Sequence, residues 1–431
     1  MSPDPVPAGL LVIGASQAGV QLAATVRERG FEGRVTLLGA ERHPPYQRPP
    51  LSKKALQEGF TPESLHFRTA SFYEDQRITL ALGRRVVRIE RGPRGSGVAW
   101  TDTDEAFAFD RLALTVGARP RRLPLPGAEL AGVLTLRSLD DAAGLGKRLR
   151  DAERVVVVGG GFIGLEVAAS ARLLGREVAV VLADDRLMAR AVGPLTSDLF
   201  LAAHHRRGVE VHLSSRPVRF VDDGAGAVRA VELEDGRVLP ADLVVVGVGA
   251  APRTEIAEAM GLTVANGIVV DERCLTSDGF TVAAGDCVQC PTPIGDRGPA
   301  RVRFESVSTA IEQARIAAAT LLGGTDTYRA VPWFWSDQDT LKLQVAGLPD
   351  DHDSTVVRGS AAEEKFSVLY YRGDALVAAE CVNRPADFIA VRAALNAGLT
   401  IDAAGASDTA TPLKSLRREV RVHPADGGAP G

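Results

Sequence analysis

Residues 155–164 read Val-Val-Val-Val-Gly-Gly-Gly-Phe-Ile-Gly, an apolar run that ends in a cluster of glycines. The valine run predicts a buried strand, and the glycines match the Gly-x-Gly-x-x-Gly turn that leads from a strand into a helix around a dinucleotide pyrophosphate. Helical spacing of apolar residues over 162–174 and a second apolar run over 178–182 complete a βαβ unit. We expect the backbone at Gly159, Gly161, Ile163 and Gly164 to border a dinucleotide.

A second βαβ unit stands near the N-terminus, with strands over 10–13 and 35–38 and a helix over 20–28. Its loop carries Gly14, Ser16, Ala18 and Gly19. Ser16 replaces the middle glycine, and its small side chain still allows a pyrophosphate to approach the helix N-terminus. Glu41 follows the second strand, where an acid bonds the adenosine ribose. Glycines that serve only a tight turn are the alternative, but two such loops predict two dinucleotides.

The later unit departs from the pattern at the end of its second strand. Leu182 holds the place of the usual acid, and Asp184 and Asp185 follow it. Loss of a hydrogen bond that a ribose hydroxyl donates to a carboxylate costs about 1.5–3 kcal/mol, although Asp184 is placed to replace that acceptor in part. We expect NADH as the nucleotide. NADPH stays possible because Arg186 and Arg190 lie close by in the sequence.

Length and composition indicate a folded protein of several domains. The chain has 431 residues, more than one ordinary core accommodates, with 45% hydrophobic and 24% charged residues. A formal charge of -4 favours no nucleic-acid partner. The longest apolar run, residues 243–251, is shorter than the roughly 20 residues of a membrane span. With no leader pattern and with its four cysteines late in the chain, we expect a cytoplasmic protein.

The pattern of segments predicts where the domains begin and end. The first domain is expected to be discontinuous, over 6–119 and 241–324, because apolar runs within 239–251 and 267–286 resemble strands that return to it. A helix over 306–322 follows them. Residues 120–240 form the second domain. After residue 324 the sequence pattern changes and predicts an α+β domain over 325–416. Its strands are expected over 342–346, 366–371 and 375–382, and its helix over 386–397. Residues 417–431 are predicted to form a flexible tail.

Three further segments extend the comparison to a known superfamily. Residues 283–286 read Ala-Ala-Gly-Asp at the end of an apolar run, and residues 115–118 and 248–253 mark the domain crossings. With the two glycine loops in this order, the chain resembles the two-dinucleotide flavoprotein reductases. The resemblance implies an α/β, glutathione-reductase-like fold, with two Rossmann-like domains for FAD and NAD(P) plus a C-terminal α+β domain. It also implies that five further residues contact a cofactor: Thr115, Gly117, Gly249, Asp286 and Val307.

Within that superfamily the chain resembles the FAD-dependent NAD(P)H:ferredoxin reductases of bacterial cytochrome monooxygenase and ring-hydroxylating dioxygenase systems. The likeness rests on residues 46–53 (Tyr-Gln-Arg-Pro-Pro-Leu-Ser-Lys), 331–338 (Val-Pro-Trp-Phe-Trp-Ser-Asp-Gln) and 382–385 (Val-Asn-Arg-Pro). It implies that Arg48 and Lys53 lie against the flavin and that Trp335 stands near the flavin edge. For Trp335, plain packing is the alternative.

The same resemblance pairs Lys53 with Glu166 beside the nicotinamide pocket. Glu166 stands between Leu165 and Val167 in an apolar helix, where a buried carboxylate is tolerable only with a hydrogen-bonded cation. A carboxylate on a solvated helix edge is the alternative. We name Lys53, Glu166 and Trp335 as the candidate catalytic residues.

The chain also departs from the family it resembles. Asp339 stands where an aromatic residue is usual, and Ser308 and Thr309 stand in the helix whose N-terminus faces the flavin, which predicts altered flavin tuning. No cysteine precedes Cys274, which argues against a disulfide substrate. The pair at 287 and 290 has no second pair, so we interpret it as incidental thiols and expect no metal site.

The resemblance implies hydride transfer from NADH to FAD and single-electron transfer to a [2Fe-2S] ferredoxin that feeds an oxygenase. Because ferredoxins are usually acidic, the partner needs a local basic patch, for which the candidates are Arg303, Lys342, Arg384 and Lys414. We expect a monomer or weak homodimer. An NAD(P)H oxidase that uses oxygen and a redox-sensing NADH-binding flavoprotein are the alternatives.

Overall fold

The computed structural model describes residues 9–293 and 300–420, which divide into two compact units, one ending at residue 329 and the other beginning at 330. The first unit holds two parallel sheets, and the second holds one antiparallel sheet with a helix. The predicted fold class is confirmed. The predicted start of the first domain at residues 6–8 lies outside the described residues.

The first sheet is built around the N-terminal βαβ unit, which with its helices is called the first module. Its parallel strands are, in order, Val282–Ala283, Arg111–Leu114, Leu10–Ile13, Val35–Gly39 and Ile78–Leu82. Helices Gln17–Glu28 and Val307–Leu321 share an apolar cluster with these strands. The predicted return of the chain to this sheet is therefore confirmed for residues 282–283.

The second sheet is built around the other βαβ unit. This sheet and its helices are called the second module. Its parallel strands are, in order, Val209–His212, Glu177–Val181, Arg154–Val158, Leu243–Val246 and Val133–Leu134. Its helices are Leu139–Asp151, Phe162–Leu173 and Pro194–Arg206.

One domain boundary was predicted wrongly. Leu243–Val246 pairs with residues 155–158 in the second sheet, so the first domain does not resume at 241. The chain crosses back at Ala250–Pro252, which pairs antiparallel with Ala118–Pro120. A strand buried in a parallel sheet is apolar throughout, so its sequence does not indicate which of two sheets it joins.

Smaller sheets and helices complete the first unit. The three-stranded antiparallel sheets are Val86–Arg91, Gly97–Thr101 and Ala106–Phe109, and Pro217–Asp222, Val228–Leu233 and Val238–Pro240. A four-stranded sheet consists of Val264–Ala265, Gly267–Val269, Val288–Pro291 and Arg301–Val302. The short helices are Lys54–Gln57, Ala70–Asp75 and Glu255–Ala259.

The second unit is the predicted α+β arrangement. Its antiparallel strands are, in order, Trp333–Gln338, Leu341–Gly347, Ala375–Val382, Lys365–Arg372 and Ser354–Ser360. Helix Pro385–Asn396 packs on the sheet through Phe388 and Val391, and a short helix Ala403–Ala406 follows. The predicted tail begins too early, because Arg417–Arg418 pairs with Thr400–Ile401; its residues 421–431 lie outside the described part. No helix in the described ranges is long and apolar enough to cross a bilayer.

Candidate functional site

In the first glycine loop the backbone packs so closely that side chains larger than glycine do not fit at two positions. Gly14 has φ +118°, and a Cβ there would lie 2.1 Å from the carbonyl oxygen of Thr115. A Cβ at Gly19 would lie 2.0 Å from the oxygen of Gly14. The Thr115 hydroxyl donates to the carbonyls of Ile13 (3.1 Å) and Gly14 (2.9 Å). Ser16 precedes helix Gln17–Glu28 without capping it, which leaves the first amides of this helix to a ligand.

The N-terminal turns of two helices meet beside Asp286. A Cβ at Gly285 would lie 3.2 Å from the Cβ of Ala18 and 3.9 Å from that of Ala310, one on each helix. Val307 is the first residue of the second helix. Each helix N-terminus carries roughly half a positive charge, so the meeting point favours an electronegative ligand.

Arg137, which the sequence reasoning missed, ties Asp286 to the crossing between modules. Its guanidinium bonds Asp286 at 2.7 Å and lies 3.7 Å from where a Cβ of Gly117 would stand. Its Nε is buried and has no hydrogen-bond partner among the described residues. A buried donor of this kind usually has an acceptor, and a bound cofactor would supply one. The only local signal was its place before the capping box of Ser138 and Asp141.

Glu41 is held as a carboxylate. Arg48 bonds one of its oxygens at 2.5 Å, and the Tyr46 hydroxyl donates to the other. Burial raises the pKa of Glu41, but the charge of Arg48 and the hydrogen bonds from Tyr46 and Arg48 outweigh burial and leave that pKa below its ordinary value. Arg48 also donates to the carbonyl of Arg137 at 2.7 Å. An ionised acceptor therefore lies at the strand end where an adenosine ribose would bind.

A buried ion pair joins the two modules. The ammonium of Lys53 lies 3.1 Å from Oε1 of Glu166, and these side chains are 14% and 3% exposed. The predicted pairing is confirmed, and the solvated-edge alternative for Glu166 is wrong. Ser52 donates to Oε2 of Glu166 at 2.5 Å, and Ser170 donates to the carbonyl of Ser52 at 2.8 Å. Neither serine was predicted; that the pair lies beside a flavin stays a prediction.

The second glycine loop is tight on one side and open on the other. Gly159 has φ +117°, and a Cβ there would lie 2.4 Å from the oxygen of Gly247. A Cβ at Gly164 would meet the oxygen of Gly159 at 2.3 Å, whereas one at Gly161 would meet nothing within 4 Å in the described chain. Ile163 is 45% exposed. The open side fits the approach of a dinucleotide.

Leu182 closes the end of the neighbouring strand with an apolar side chain. It is 4% exposed, and a Cβ at Gly160 would lie 2.5 Å from its Cδ1. Arg186 is committed to two backbone carbonyls, those of Ala189 and Val192, at 2.6 and 2.7 Å.

Arg190 lies near Gly249, which follows strand Leu243–Val246. Its guanidinium is 3.5 Å from where a Cβ of Gly249 would stand. Asp184 and Asp185 are exposed. Of the charged residues that follow Leu182 in the sequence, the two aspartates are therefore exposed and Arg186 is engaged with backbone carbonyls.

In the second unit, Trp335 is half-buried in the strand Trp333–Gln338. Its ring stacks on that of Trp333, with centroids 5.7 Å apart, and the guanidinium of Arg392 lies 4.9 Å over Trp333. Asp339 has φ +55° in the following hairpin, a conformation that aspartate tolerates better than an aromatic residue does. The predicted position of Trp335 near a flavin stays a prediction.

Two of the four candidate docking cations are shielded from solvent and paired within the chain. The Arg303 side chain is 9% exposed and bonds Glu305 at 2.5 Å, and Arg384 is 15% exposed and paired with Asp387. Such committed guanidinium groups are poor partners for another protein. Lys342 and Lys414 are exposed.

The four cysteines are buried and free. Burial raises the pKa of Cys290 to about 11 and that of Cys287 to about 12, so both remain thiols near neutral pH. This is the environment of inert thiols rather than of reactive ones.

Two family models match the chain. The pyridine nucleotide-disulphide oxidoreductase model matches residues 9–314, and the reductase C-terminal model matches 333–417. Rhodocoxin reductase of Rhodococcus erythropolis is 45% identical, with 96% of each chain covered. Putidaredoxin reductase of Pseudomonas putida is 38% identical, with 94% of this chain and 96% of that protein covered.

Solved structures agree over nearly the whole length. The ferredoxin reductase for the CYP199A2 system of Rhodopseudomonas palustris is 43% identical with a TM-score of 0.90, covering 94% of this chain and 99% of that one. The reductase in a covalent putidaredoxin reductase–putidaredoxin complex is 38% identical with a TM-score of 0.89, covering 95% and 97%.

Proposed function

The chain belongs to the pyridine nucleotide-disulphide oxidoreductase family, among its ferredoxin reductases, and on that premise we propose that it passes electrons from NADH through FAD to a [2Fe-2S] ferredoxin. The observation that carries the proposal is that the buried pair Lys53 and Glu166 joins two modules, each with a dinucleotide-binding glycine loop. FAD accepts two electrons together and releases them singly, which suits a one-electron carrier.

The first module has the groups that FAD requires. The loop at Gly14, Ser16, Ala18 and Gly19 receives the pyrophosphate on a helix N-terminus. The ionised Glu41 accepts from ribose hydroxyls, and the remaining contacts are assigned to Arg48, Thr115, Gly117, Arg137, Asp286 and Val307. The unpartnered Nε of Arg137 supports this fit.

The second module receives NADH. Gly159, Gly161, Ile163 and Gly164 face the pyrophosphate, with Gly249 at the end of the neighbouring strand and Leu182 at the adenosine ribose. Lys53 and Glu166 orient the two cofactors relative to each other, because each module contributes one member of the pair. NADPH is accepted less well, because Arg186 is committed to backbone carbonyls.

The partner surface includes Lys342 and Lys414, with Trp335 shaping the electron exit. A chain of net charge -4 attracts an acidic ferredoxin only through local cations. Charge reversal at both lysines is expected to raise the KM for ferredoxin at least several-fold at low salt. An unchanged KM at low salt would remove these lysines from the docking surface. We propose that the protein is cytoplasmic and is a monomer or a weak homodimer.

The experiment is reduction of cytochrome c by the purified protein and NADH, with and without a [2Fe-2S] ferredoxin. The proposal predicts a flavin spectrum and a rate that depends on ferredoxin concentration. Rapid oxygen consumption with no ferredoxin effect would instead support an oxidase. A reduced flavin that persists in air and ignores ferredoxin would support a sensor.

A further inference from the structure

Ser52 lies where the first module meets helix Phe162–Leu173 of the second. Its side chain is buried, at 1% exposure, and its hydroxyl donates to Oε2 of Glu166 at 2.5 Å. Its carbonyl accepts from the Ser170 hydroxyl, which in turn accepts from Gln57 at 3.0 Å. The hydroxyl and the backbone carbonyl of Ser52 are therefore both engaged with the second module.

The two oxygens of Glu166 have different partners. Oε1 faces the ammonium of Lys53 and Oε2 faces the hydroxyl of Ser52. A hydrogen bond to an ionised acceptor is short and strong, and it fixes the rotation of the carboxylate. Without it the carboxylate loses a contact that fixes its rotation relative to Lys53. The hydroxyl therefore helps to set the geometry of the ion pair.

We propose that Ser52 is a positioning residue, which holds the Glu166 carboxylate against Lys53 and so sets the charge that the pair presents to bound FAD. The inference rests on the proposed function, because it requires FAD beside the pair. It assigns to Ser52 no contact with substrate. Its effect reaches the cofactor through Glu166 alone.

The direction of the effect follows from charge. The donated hydrogen bond spreads the negative charge of Glu166, and its removal strengthens the negative potential near the cofactor. Reduced flavin carries more negative charge than oxidised flavin, so it loses affinity relative to the oxidised form. We expect about a tenfold change in the ratio of the two affinities, which lowers the midpoint potential by about 30 mV for a two-electron couple.

The test is a redox titration of the flavin-loaded protein with Ser52→Ala. Ser52→Thr keeps the hydroxyl and is expected to retain the wild-type potential. The matched control is Ser367→Ala in the second unit, where Ser367 donates at 3.0 Å to Asp387, a buried carboxylate paired with Arg358. This control removes the same type of bond from a different ion pair, and its expected change is less than twofold.

A double-mutant cycle makes the assignment specific to Glu166. In a Glu166→Gln background, where no carboxylate remains, Ser52→Ala is expected to cause no further shift. A wild-type potential in Ser52→Ala, or an equal shift in both backgrounds, overturns the proposal. If the alanine variant does not fold, Ser52→Cys, with a weak donor of similar size, must shift the potential in the same direction or the proposal fails.

Failure of the Ser52 proposal and failure of the proposed function give different experimental results. If wild type binds FAD and reduces ferredoxin while Ser52→Ala keeps its potential, only the role of Ser52 is wrong. If wild type takes up no FAD or shows no ferredoxin-dependent rate, the proposed function is wrong.

Discussion

Removing one member of the buried pair should destabilise the protein unequally, depending on which member is removed. At 3.1 Å and an effective dielectric constant of 20, the attraction between Lys53 and Glu166 is about 5 kcal/mol, which roughly offsets the cost of burying both charges. Lys53→Met removes the ammonium from a carboxylate that is only 3% exposed, which we expect to cost about 3–5 kcal/mol. Glu166→Gln should cost about 1–2 kcal/mol, because the amide still accepts from Ser52 and the Lys53 stem can carry its ammonium to water.

The assay is urea unfolding at fixed total FAD, with midpoints compared at a common slope. The double variant is expected to be more stable than the sum of the single effects predicts, by about 2 kcal/mol. The control is Asp326→Asn, which breaks the exposed ion pair between Asp326 and Arg29. This variant should change the free energy of unfolding by less than about 0.5 kcal/mol. Equal losses from the two single variants, or strict additivity, would refute the reasoning.

Three other perturbations have definite outcomes. Leu182→Glu should raise the NADH-to-NADPH ratio of kcat/KM about tenfold over Leu182→Gln, because only the glutamate repels a 2′-phosphate; an unchanged ratio would place Leu182 away from the ribose. At pH 8 a thiol reagent should modify none of the four buried cysteines of the native protein while it modifies all of them in urea, and rapid reaction of a native thiol would contradict their burial. Because the pKa of Glu41 is depressed in the folded protein, its charge contributes stability above the unfolded pKa that is lost as pH falls through the folded one. Glu41→Gln should therefore be less stable than wild type near neutral pH, with the difference shrinking in acid; a difference that is independent of pH would sink this interpretation.

The glycine loops were predictable because their causes are local. At Gly14 and Gly159 a positive φ and the close approach of a carbonyl oxygen both require glycine, and the flanking apolar runs supply the strand and helix. The pairing of Lys53 with Glu166 came from family resemblance, supported by the oddity of a carboxylate in an apolar helix. Local pattern thus predicted both βαβ units, whereas the ion pair needed the resemblance.

Other features depend on contacts between distant parts of the chain. Arg137 bonds Asp286, which lies 149 residues later in the sequence, and no local pattern predicts that bond. The ion pair between Arg303 and Glu305 and the burial of the Arg303 side chain likewise depend on the folded chain. Leu243–Val246 has the same apolar composition whichever sheet it joins, so its assignment needed the strand pairing.

The most direct test of electron transfer is anaerobic mixing of NADH-reduced protein with oxidised [2Fe-2S] ferredoxin, followed by absorbance. The proposed function predicts that the flavin returns to its oxidised spectrum as two ferredoxins are reduced per flavin, at a rate faster than steady-state turnover. A flavin that stays reduced under excess ferredoxin, and reoxidises only when oxygen is admitted, would contradict it.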